Sequence, residues 1–457
     1  MDVVLLSRIQ FALTSGFHYI YPPLSIGIGL MLVIFEGIYL KTGNLLYKKI
    51  TKFWVKIFSL TFALGVATGL VQLFGFGTNW ARYSRFVGDV FGSALGAEGV
   101  FAFFLEAGFL GVMLFGWEKV SKKMHYFSTI CVCAGAHFSA VWIVVANSWM
   151  QTPAGYEVVG EGLQAKAVVT EFWTMIFNPS SVDRLTHVIL GCWLSGIFLI
   201  LSVSAYYYLK KQHREFSNAT MKIGLWMAAI VLILQLASAD STARGVAKDQ
   251  PSKLAAMEGI YRTEEATPLT LFGWVDEKGE KTKGVQVPGA LSFLVHRNFK
   301  TPVTGLDQIP LDERPPIGIV FQSFHIMIAM WGLMAFVTAA SLYYWKKKKL
   351  AKAKWVLWSL VFSVIFPQIA NQTGWMTAEI GRQPWIVYGL LKTTQGVSPT
   401  IVSSQVFMSI IMFIVIYILL FALFMFLLNH KIQHGPEEGE EENLLYRSPK
   451  SLTKESQ

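Results

Sequence analysis

The sequence predicts an all-α integral membrane protein with about nine transmembrane helices in bundles and a long extracytoplasmic loop. Three observations support this fold class: scarce charge, long apolar runs and the placement of the basic residues. Of the 457 residues, 53% are hydrophobic and only 15% are charged, whereas soluble domains contain about 25% charged residues. Mean hydropathy is +0.45. This composition excludes a disordered chain, a fibrous chain and a disulfide-stapled secreted domain.

The apolar runs are the first element of the prediction. A helix needs about 20 apolar residues to cross the hydrocarbon core of a bilayer. Backbone groups in lipid must be satisfied within helices or a closed barrel, and these runs lack the alternation of barrel strands. A large soluble helical protein is excluded because the runs have too little polar face. The predicted spans are 15–40, 53–76, 94–117, 125–146, 184–208, 219–238, 318–345, 355–376 and 400–428.

The basic residues predict the orientation of these spans. Loops after the first, third, fifth and seventh spans contain 18 Lys and Arg, and loops after the second, fourth and eighth contain six. The positive-inside rule therefore places the N-terminus outside and the C-terminus in the cytoplasm. The net charge of +10 then reflects orientation in a lipid bilayer, and no nucleic-acid partner is expected.

The chain divides into four parts on this prediction. Residues 1–238 contain helices one to six, and residues 318–428 contain helices seven to nine. Between them, residues 239–317 form a polar, extracytoplasmic stretch, and loops of this length are usually functional or disordered. Residues 429–457 form an acidic cytoplasmic tail that we expect to be solvated and disordered.

Ionisable residues inside spans are costly and usually mark function. Most of them, together with Met327, map to the outer ends of their helices, which suggests cofactors held between helices near the outer face. His, Met and carboxylate side chains can all be axial ligands of haem iron. For each residue the alternative is structural: a hydrogen-bonded His, a packed Met, or a snorkelling Glu36. The set is His18, Glu36, Glu98, Glu106, His137, His187, His325 and Glu379.

Glu98 and Glu106 are a candidate proton relay. On one continuous helix they would lie about 12 Å apart along the axis, with both carboxyls able to face the same side of the bundle. Buried carboxyls in pumps and oxidases mostly handle protons, which favours the relay. The alternative is a pair of hydrogen bonds between helices.

Several strings resemble subunit I of the cytochrome bd-type quinol oxidases. The most specific is Gly374-Trp375 followed by Glu379-Ile380-Gly381-Arg382-Gln383-Pro384-Trp385. The resemblance covers residues 1 to about 430. Further matching strings are Leu5 to Thr14 with His18, Phe76-Gly77-Thr78-Asn79-Trp80, Ala97-Glu98-Gly99 through Phe104-Leu105-Glu106, and Val145-Ala146-Asn147-Ser148-Trp149-Met150-Gln151.

This resemblance implies a respiratory terminal oxidase of the bacterial cytoplasmic (inner) membrane. It would oxidise ubiquinol or menaquinol at the outer face and reduce dioxygen to water with cytoplasmic protons, generating a proton-motive force without pumping. It implies three haems: a low-spin haem b, a high-spin haem b, and haem d or a third haem b. It also implies a second, related membrane subunit, and leaves a very small third one open.

The resemblance also implies roles for individual residues. His187 and Met327 match the axial pair of the low-spin haem, and His18 and Glu379 match the ligands of the two active-site haems. Members differ in which of those two positions holds haem d, so the haem types stay unassigned. Glu98 matches a carboxylate beside the His18 haem and Glu106 a proton-path residue below it. Residues expected between haems and at their propionates are Trp375 and Arg382.

Residues 239–317 match the quinol-binding loop of the family, in its shorter form. Within it, Lys253 and Glu258 match residues implicated in quinol oxidation. One departure concerns His325, which stands two residues before Met327 where many relatives have Arg. It could shift the haem potential or supply a competing ligand, and it favours the cyanide-insensitive branch, which leaves haem d open.

Two non-enzymatic functions compete with the oxidase. One is a nine-helix ion-coupled transporter whose carboxylates bind a coupling ion, although the sequence has no two convincing halves of the kind found in transporters. The other is a membrane assembly subunit without cofactors. A Soret band in the purified protein would separate the oxidase from both.

Overall fold

The computed structural model describes residues 2–99 and 104–436, so the acidic run beginning at Glu437 lies outside the described residues. The described chain is mostly helical. The helices are α1 (Val3–His18), α2 (Tyr21–Thr42), α3 (Leu45–Thr78), α4 (Ala81–Phe86), α5 (Gly88–Ala97), α6 (Phe104–Phe115), α7 (Lys122–Gln151), α8 (Phe172–Ile176), α9 (Ser181–Lys210), α10 (Arg214–Asp249), α11 (Pro251–Glu258), α12 (Ala290–His296), α13 (Ile317–Lys346), α14 (Lys354–Phe362), α15 (Ile365–Ile380), α16 (Thr393–Gly396) and α17 (Ser403–His434).

Six short strands pair as antiparallel hairpins between the helices. Each hairpin lies in a connection rather than in the helical bundle. The pairs are β1 (Tyr156–Val159) with β2 (Lys166–Val169), β3 (Leu269–Asp276) with β4 (Lys281–Val287), and β5 (Trp385–Val387) with β6 (Leu391–Lys392).

Within the described ranges, seven helical segments are long and apolar enough to cross a membrane. They confirm the helical membrane fold, and α1 and α2 together form the first of them. The predicted span 94–117 is instead divided between α5 and α6, and the span 355–376 between α14 and α15, which are separated at Ser363. Because these two segments are broken, the count of nine helices stays a prediction. The seven segments are Val3–Thr42, Leu45–Thr78, Lys122–Gln151, Ser181–Lys210, Arg214–Asp249, Ile317–Lys346 and Ser403–His434.

Local sequence accounts for several helix ends. The Asp2 carboxylate accepts hydrogen bonds from Val4 N and Leu5 N at the start of α1, and the Asn44 side chain accepts from Leu46 N at the start of α3. Such caps satisfy backbone donors that have no partner within the helix. Proline at the start of α2 fits the first turn of a new helix after the break at Tyr19 and Ile20.

The main hydrophobic core lies between α2, α3, α9 and α10 and includes Phe35, Trp54 and Phe198. α2 and α9 approach so closely that their backbones meet at Gly27 and Gly196. A methyl group on either glycine would collide with the facing backbone, so this crossing requires glycine on both helices.

The two sides of the bundle differ in charge. We call the side containing Lys346 to Lys349 the lysine-rich side, and the opposite side, where α7 ends and α13 begins, the lysine-poor side. On the lysine-poor side α10 continues to Asp249, beyond the predicted span end at residue 238, and α11 follows directly. Residues 239–317 therefore begin as a helical extension and continue through α11, the β3–β4 hairpin and α12.

Candidate functional site

The last turn of α15 places the Glu379 carboxylate among polar groups from two other segments. Glu379 Oε1 accepts hydrogen bonds from Asn147 Nδ2 and Gln151 Nε2 of α7, each at 3.1 Å. Glu379 Oε2 forms an ion pair with Arg382. A carboxylate has about four acceptor positions, so three donors leave it able to bind one more group.

Two arginines beside Glu379 keep donors without partners. The Arg184 guanidinium donates to Asn147 Oδ1 and lies 5.8 Å from the Trp375 ring centroid. In the described part of the chain, Arg382 Nε, Arg382 Nη1 and Arg184 Nε have no hydrogen-bond partner although they are buried. Buried donors are nearly always paired, and guanidinium donors suit carboxylates. The arrangement therefore fits an anionic group that the protein does not itself supply.

Lys253 of α11 reaches the same place from the polar segment. Its side chain is 2% exposed, and Nζ donates to the Gln151 and Gln250 side-chain oxygens. Burial, reinforced by the charges of Arg184 and Arg382, holds the pKa of Lys253 well below its usual range. We call this group the Glu379 cluster: Asn147, Gln151, Arg184, Lys253, Glu379 and Arg382.

Glu258, at the other end of α11, is also buried, and its Oε2 has no partner among the described residues. Burial raises the pKa of Glu258 to about 8, because removal from water disfavours the charged form. At neutral pH the carboxyl is therefore largely protonated, and it can exchange a proton near that pH.

His18 ends α1, and its ring contacts the Thr68 side chain and the Gly65 backbone. Its Nδ1 lies 3.0 Å from Thr68 Oγ1, and the Thr68 hydroxyl itself donates to Leu64 O. The Thr68 oxygen is thus placed to accept from His18 Nδ1–H, and that tautomer leaves the Nε2 lone pair available. This is the tautomer that a metal-binding histidine needs.

Trp375 of α15 contacts Tyr19, the residue after His18, and Arg184 of the Glu379 cluster. Its ring is edge-on to Tyr19, with centroids 5.4 Å apart, and its other contact is the Arg184 guanidinium. The residue is thus fixed between the start of α9 and the break between α1 and α2.

His187 and Met327 lie on helices that both pack against α15. Gln235 Nε2 lies 3.1 Å from each ring nitrogen of His187, and Ser238 Oγ lies 3.4 Å from Nδ1. Met327 Sδ packs against Gly374, where a Cβ would approach it to 3.0 Å. Gly374 thus leaves room for the Met327 thioether beside α15.

Glu98 and Glu106 lie on either side of residues 100–103, which are outside the described ranges. Glu98 accepts a 2.5 Å hydrogen bond from Ser139 Oγ of α7. Glu106 is buried in the first turn of α6. α5 ends at Ala97 and residues 98–99 form a π-helical turn, so the predicted spacing on one continuous helix stays untested.

Two histidines considered from the sequence have both ring nitrogens engaged. His325 Nδ1 and Nε2 each lie 2.9 Å from a backbone oxygen, of Phe321 and Thr270 respectively. His137 Nδ1 faces Cys133 O at 2.7 Å, and its Nε2 accepts from Trp193 at 2.9 Å. These contacts favour a structural role for both.

Sequence reasoning missed Arg184 and His125. Arg184 was counted only as a loop charge, although an arginine at the start of an apolar helix is itself a signal.

His125, at the edge of an apolar run, pairs with Glu36 on the lysine-rich side at 2.6 Å, and both residues are 2% exposed. Thr129 Oγ1 donates to the other Glu36 oxygen at 2.6 Å. Glu36 therefore does not snorkel.

These features define a multi-pass helical membrane protein with a cation-lined site between its helices. The family model described as cytochrome bd terminal oxidase subunit I matches residues 6–436. The chain belongs to this family, and haem and a place in a respiratory chain follow from that membership. The resemblance inferred from the sequence is thereby confirmed.

Individual relatives agree with the family. The chain is 37% identical to cytochrome bd ubiquinol oxidase subunit 1 of Bacillus subtilis (strain 168), over 90% of this chain and 89% of that protein. It is 33% identical to cytochrome bd-II ubiquinol oxidase subunit 1 of Escherichia coli (strain K12), over 90% and 92%. The solved bd oxidase of Geobacillus thermodenitrificans matches with a TM-score of 0.88 and 30% identity, over 95% of this chain and 99% of that chain. These names confirm the predicted enzyme class, a quinol:oxygen oxidoreductase.

Proposed function

We propose that this chain is the haem-bearing subunit of a terminal oxidase that oxidises membrane quinol and reduces dioxygen to water. The observation that carries the proposal is the Glu379 cluster, where buried guanidinium donors lack an acceptor beside a carboxylate and a tryptophan. Haem propionates are anions of the required kind. When bound, the haems would take electrons from quinol and bring them to dioxygen.

His187 with Met327, His18 and Glu379 are the residues we propose as iron ligands. The Thr68 contact supports His18, since it leaves Nε2 available. For His187, Ser238 Oγ lies where it can orient the ring through Nδ1. Two b-type haems, one low-spin and one high-spin, with haem d or a third haem b, remain the proposed set.

Lys253 and Glu258 form the proposed quinol-oxidation site on α11. Quinol oxidation releases two protons with its two electrons. Lys253, whose pKa is held well below its usual range, and Glu258, whose pKa is raised to about 8, can each accept one of these protons from a quinol hydroxyl when deprotonated. Lys253 contacts Gln151, and Gln250 also contacts Gln151, so a quinol held at Lys253 would lie beside the Glu379 cluster.

The proposed orientation places the lysine-poor side outside the cell and the C-terminus in the cytoplasm, in the bacterial inner membrane. Protons from quinol would leave outside, and Glu106 followed by Glu98 would deliver cytoplasmic protons for water formation. Each proton crossing the field is worth about 2.3 kcal/mol per 100 mV. Charge separation then needs no pumping element.

The proposed partners are a second membrane subunit, ubiquinol or menaquinol, and dioxygen; a small third subunit stays open. An ion-coupled transporter remains the alternative, with Glu98 and Glu106 as its ion site. A cofactor-free assembly subunit is the other. The unpartnered arginine donors favour the oxidase over both, because neither alternative supplies an anion at that place.

The test is a reduced-minus-oxidised spectrum with pyridine haemochrome analysis of the purified complex. We expect haem in the unmodified protein, and loss of the low-spin signal in His187→Leu and in Met327→Leu. His137→Leu is the matched control and should keep that signal. A protein without a Soret band would refute the oxidase, and a normal low-spin spectrum in both ligand variants would refute the ligand assignment.

A further inference from the structure

The β3–β4 hairpin has one face packed on the protein and one face that no described residue covers. Val275 belongs to the cluster around Leu254 and Ile260, and Thr282 Oγ1 donates to Gly259 O at 2.6 Å. Since side chains alternate along strands, Phe272 and Trp274 point to the opposite face. They are 71% and 60% exposed.

The exposed face carries a group of apolar side chains bordered by Lys283, which stands opposite Trp274 and forms an ion pair with Asp276 at 2.9 Å. Phe272 pairs directly with Val285 across the hairpin, and Val285 is 60% exposed. Residues opposite each other on one face lie within side-chain contact, so these two side chains and Trp274 form a single surface. We call this surface the hairpin patch: Phe272, Trp274, Val285 and Val287.

Three contacts fix the hairpin along the first turns of α13. Glu277 Oε1 accepts from Gly318 N at 2.9 Å, and Gln322 Nε2 donates to Gly273 O at 3.1 Å. Further along the helix, His325 Nε2 lies 2.9 Å from Thr270 O. The strand β3 therefore runs beside α13 from Gly318 to His325, and its position along that helix is known.

The length of α13 relates this position to the bilayer. Its 30 residues span about 45 Å at about 1.5 Å per residue. The hydrocarbon core takes about 20 residues, and the bilayer with its headgroups is about 40–45 Å thick. Counted from Lys346 at the lysine-rich end, the core ends near Ile326. The turns from Gly318 to His325, and the hairpin beside them, then lie at the level of the lipid headgroups.

We infer that the hairpin patch binds the lipid headgroup layer and holds the hairpin at the membrane surface. The lipid-facing side of α13 continues into this level, where Ile319 and Ile326 are exposed. Aromatic side chains favour this interface because their rings accept both apolar and polar surroundings. Through the Thr282–Gly259 contact, the contact between the hairpin patch and lipid also sets the position of α11 and Glu258 relative to the membrane surface.

Nitroxide labels on the complete oxidase complex in lipid nanodiscs test this inference. The labelled variants are Phe272→Cys, Trp274→Cys and Val285→Cys, with Leu311→Cys as control because Leu311 is 79% exposed in the same polar segment but outside the hairpin. The three native cysteines are buried, and the unmodified chain serves as the labelling blank. Collision rates with oxygen, which concentrates in lipid, and with a water-soluble nickel chelate are compared at each position.

We expect the hairpin labels to collide more with oxygen and less with nickel than the label at Leu311→Cys. Nickel access equal to that of the control would overturn the inference, because the patch would then face water. Exclusion of both reagents would also overturn it, since a protein subunit would cover the patch. If one variant does not fold, the other two report on the same face. The readout does not depend on turnover, so it stands or fails separately from the proposed quinol site.

Discussion

Buried ionisable groups differ in their hydrogen-bond partners between the two sides of the bundle. On the lysine-rich side, both oxygens of Glu36 and both ring nitrogens of His125 have partners: Thr129, Met113 O and each other. On the lysine-poor side, buried polar atoms of Arg382, Arg184 and Glu258 have none within the described residues. Burial alone therefore does not mark function. Charged side chains that keep unmatched buried atoms are the stronger signal of a binding site, because such atoms are costly unless another molecule completes them.

The largest effect is expected at Glu258. Glu258→Gln should lower quinol turnover by roughly 10²- to 10⁴-fold, the usual range for loss of a general base, with the haem spectrum unchanged. A pKa raised to about 8 means that the proton-accepting form increases as pH rises. We therefore expect kcat/KM for quinol to climb towards pH 8 and then level, and this limb to vanish in the variant.

Glu265→Gln is the matched control, an exposed carboxylate in the same segment. It should keep both the turnover and the pH limb. A pH profile that Glu258→Gln leaves intact would contradict the assignment of Glu258 as the titrating group.

The second effect concerns stability on the lysine-rich side. Glu36→Leu leaves His125 buried without its carboxylate and should lower the free energy of unfolding by about 3–5 kcal/mol. The double variant Glu36→Leu with His125→Phe should recover part of that loss, because apolar replacement of a whole buried pair is tolerated. Thermal unfolding in detergent measures both.

Turnover per haem distinguishes a structural Glu36–His125 pair from a functional one. We expect it to be unchanged in the surviving Glu36→Leu protein. A strong fall in turnover with normal stability would instead place the pair in the reaction and erase the contrast between the two sides.

The third effect concerns the buried Arg382 donors that have no hydrogen-bond partner among the described residues. Arg382→Leu should weaken haem retention by roughly 10- to 150-fold, which corresponds to about 1.5–3 kcal/mol for a charged hydrogen bond. Arg382→Lys keeps the charge but not the planar donor pair, so an intermediate loss is expected. Pyridine haemochrome content after dilution and dialysis measures the loss. Full retention in Arg382→Leu would mean that these donors have no anionic partner.

The smallest effect is expected at His325. His325→Phe keeps ring stacking on Phe321, whose centroid lies 4.0 Å away, but loses the contact with Thr270 O. The β3–β4 hairpin should lose about 1 kcal/mol of local stability, measured as faster amide exchange in β3. A large change in the low-spin haem spectrum would instead favour His325 as a ligand.

The membrane fold could be predicted well from the sequence because long runs of apolar residues have one main physical cause, the hydrocarbon core that each helix must cross. It missed the extension of α10 to Asp249 because residues such as Asp240, Arg244 and Lys248 give no apolar signal once a helix leaves lipid. It also missed the breaks within apolar runs, although Pro22 and Pro23 at the start of α2 could have indicated the first one.

For the site, the resemblance pointed to Glu379, Arg382 and Lys253, and the structure brings these three together. Their partners could not be derived from one sequence, because Arg184 lies nearly 200 residues before Glu379 in the chain. The contact between Glu36 and His125 was invisible for the same reason. Spacing along a helix predicts neighbours on that helix but not between helices.

The unbroken length of α10 has a consequence for electron transfer. Gln235 contacts His187, and Gln250, the capping residue just after α10, contacts Lys253. The 15 residues between them rise about 22 Å at about 1.5 Å per residue. A continuous helix is stiff over that length because of its backbone hydrogen bonds, so one element fixes where α11 lies relative to His187. Motion elsewhere in the polar segment then changes the geometry between the proposed quinol site and the proposed low-spin haem little.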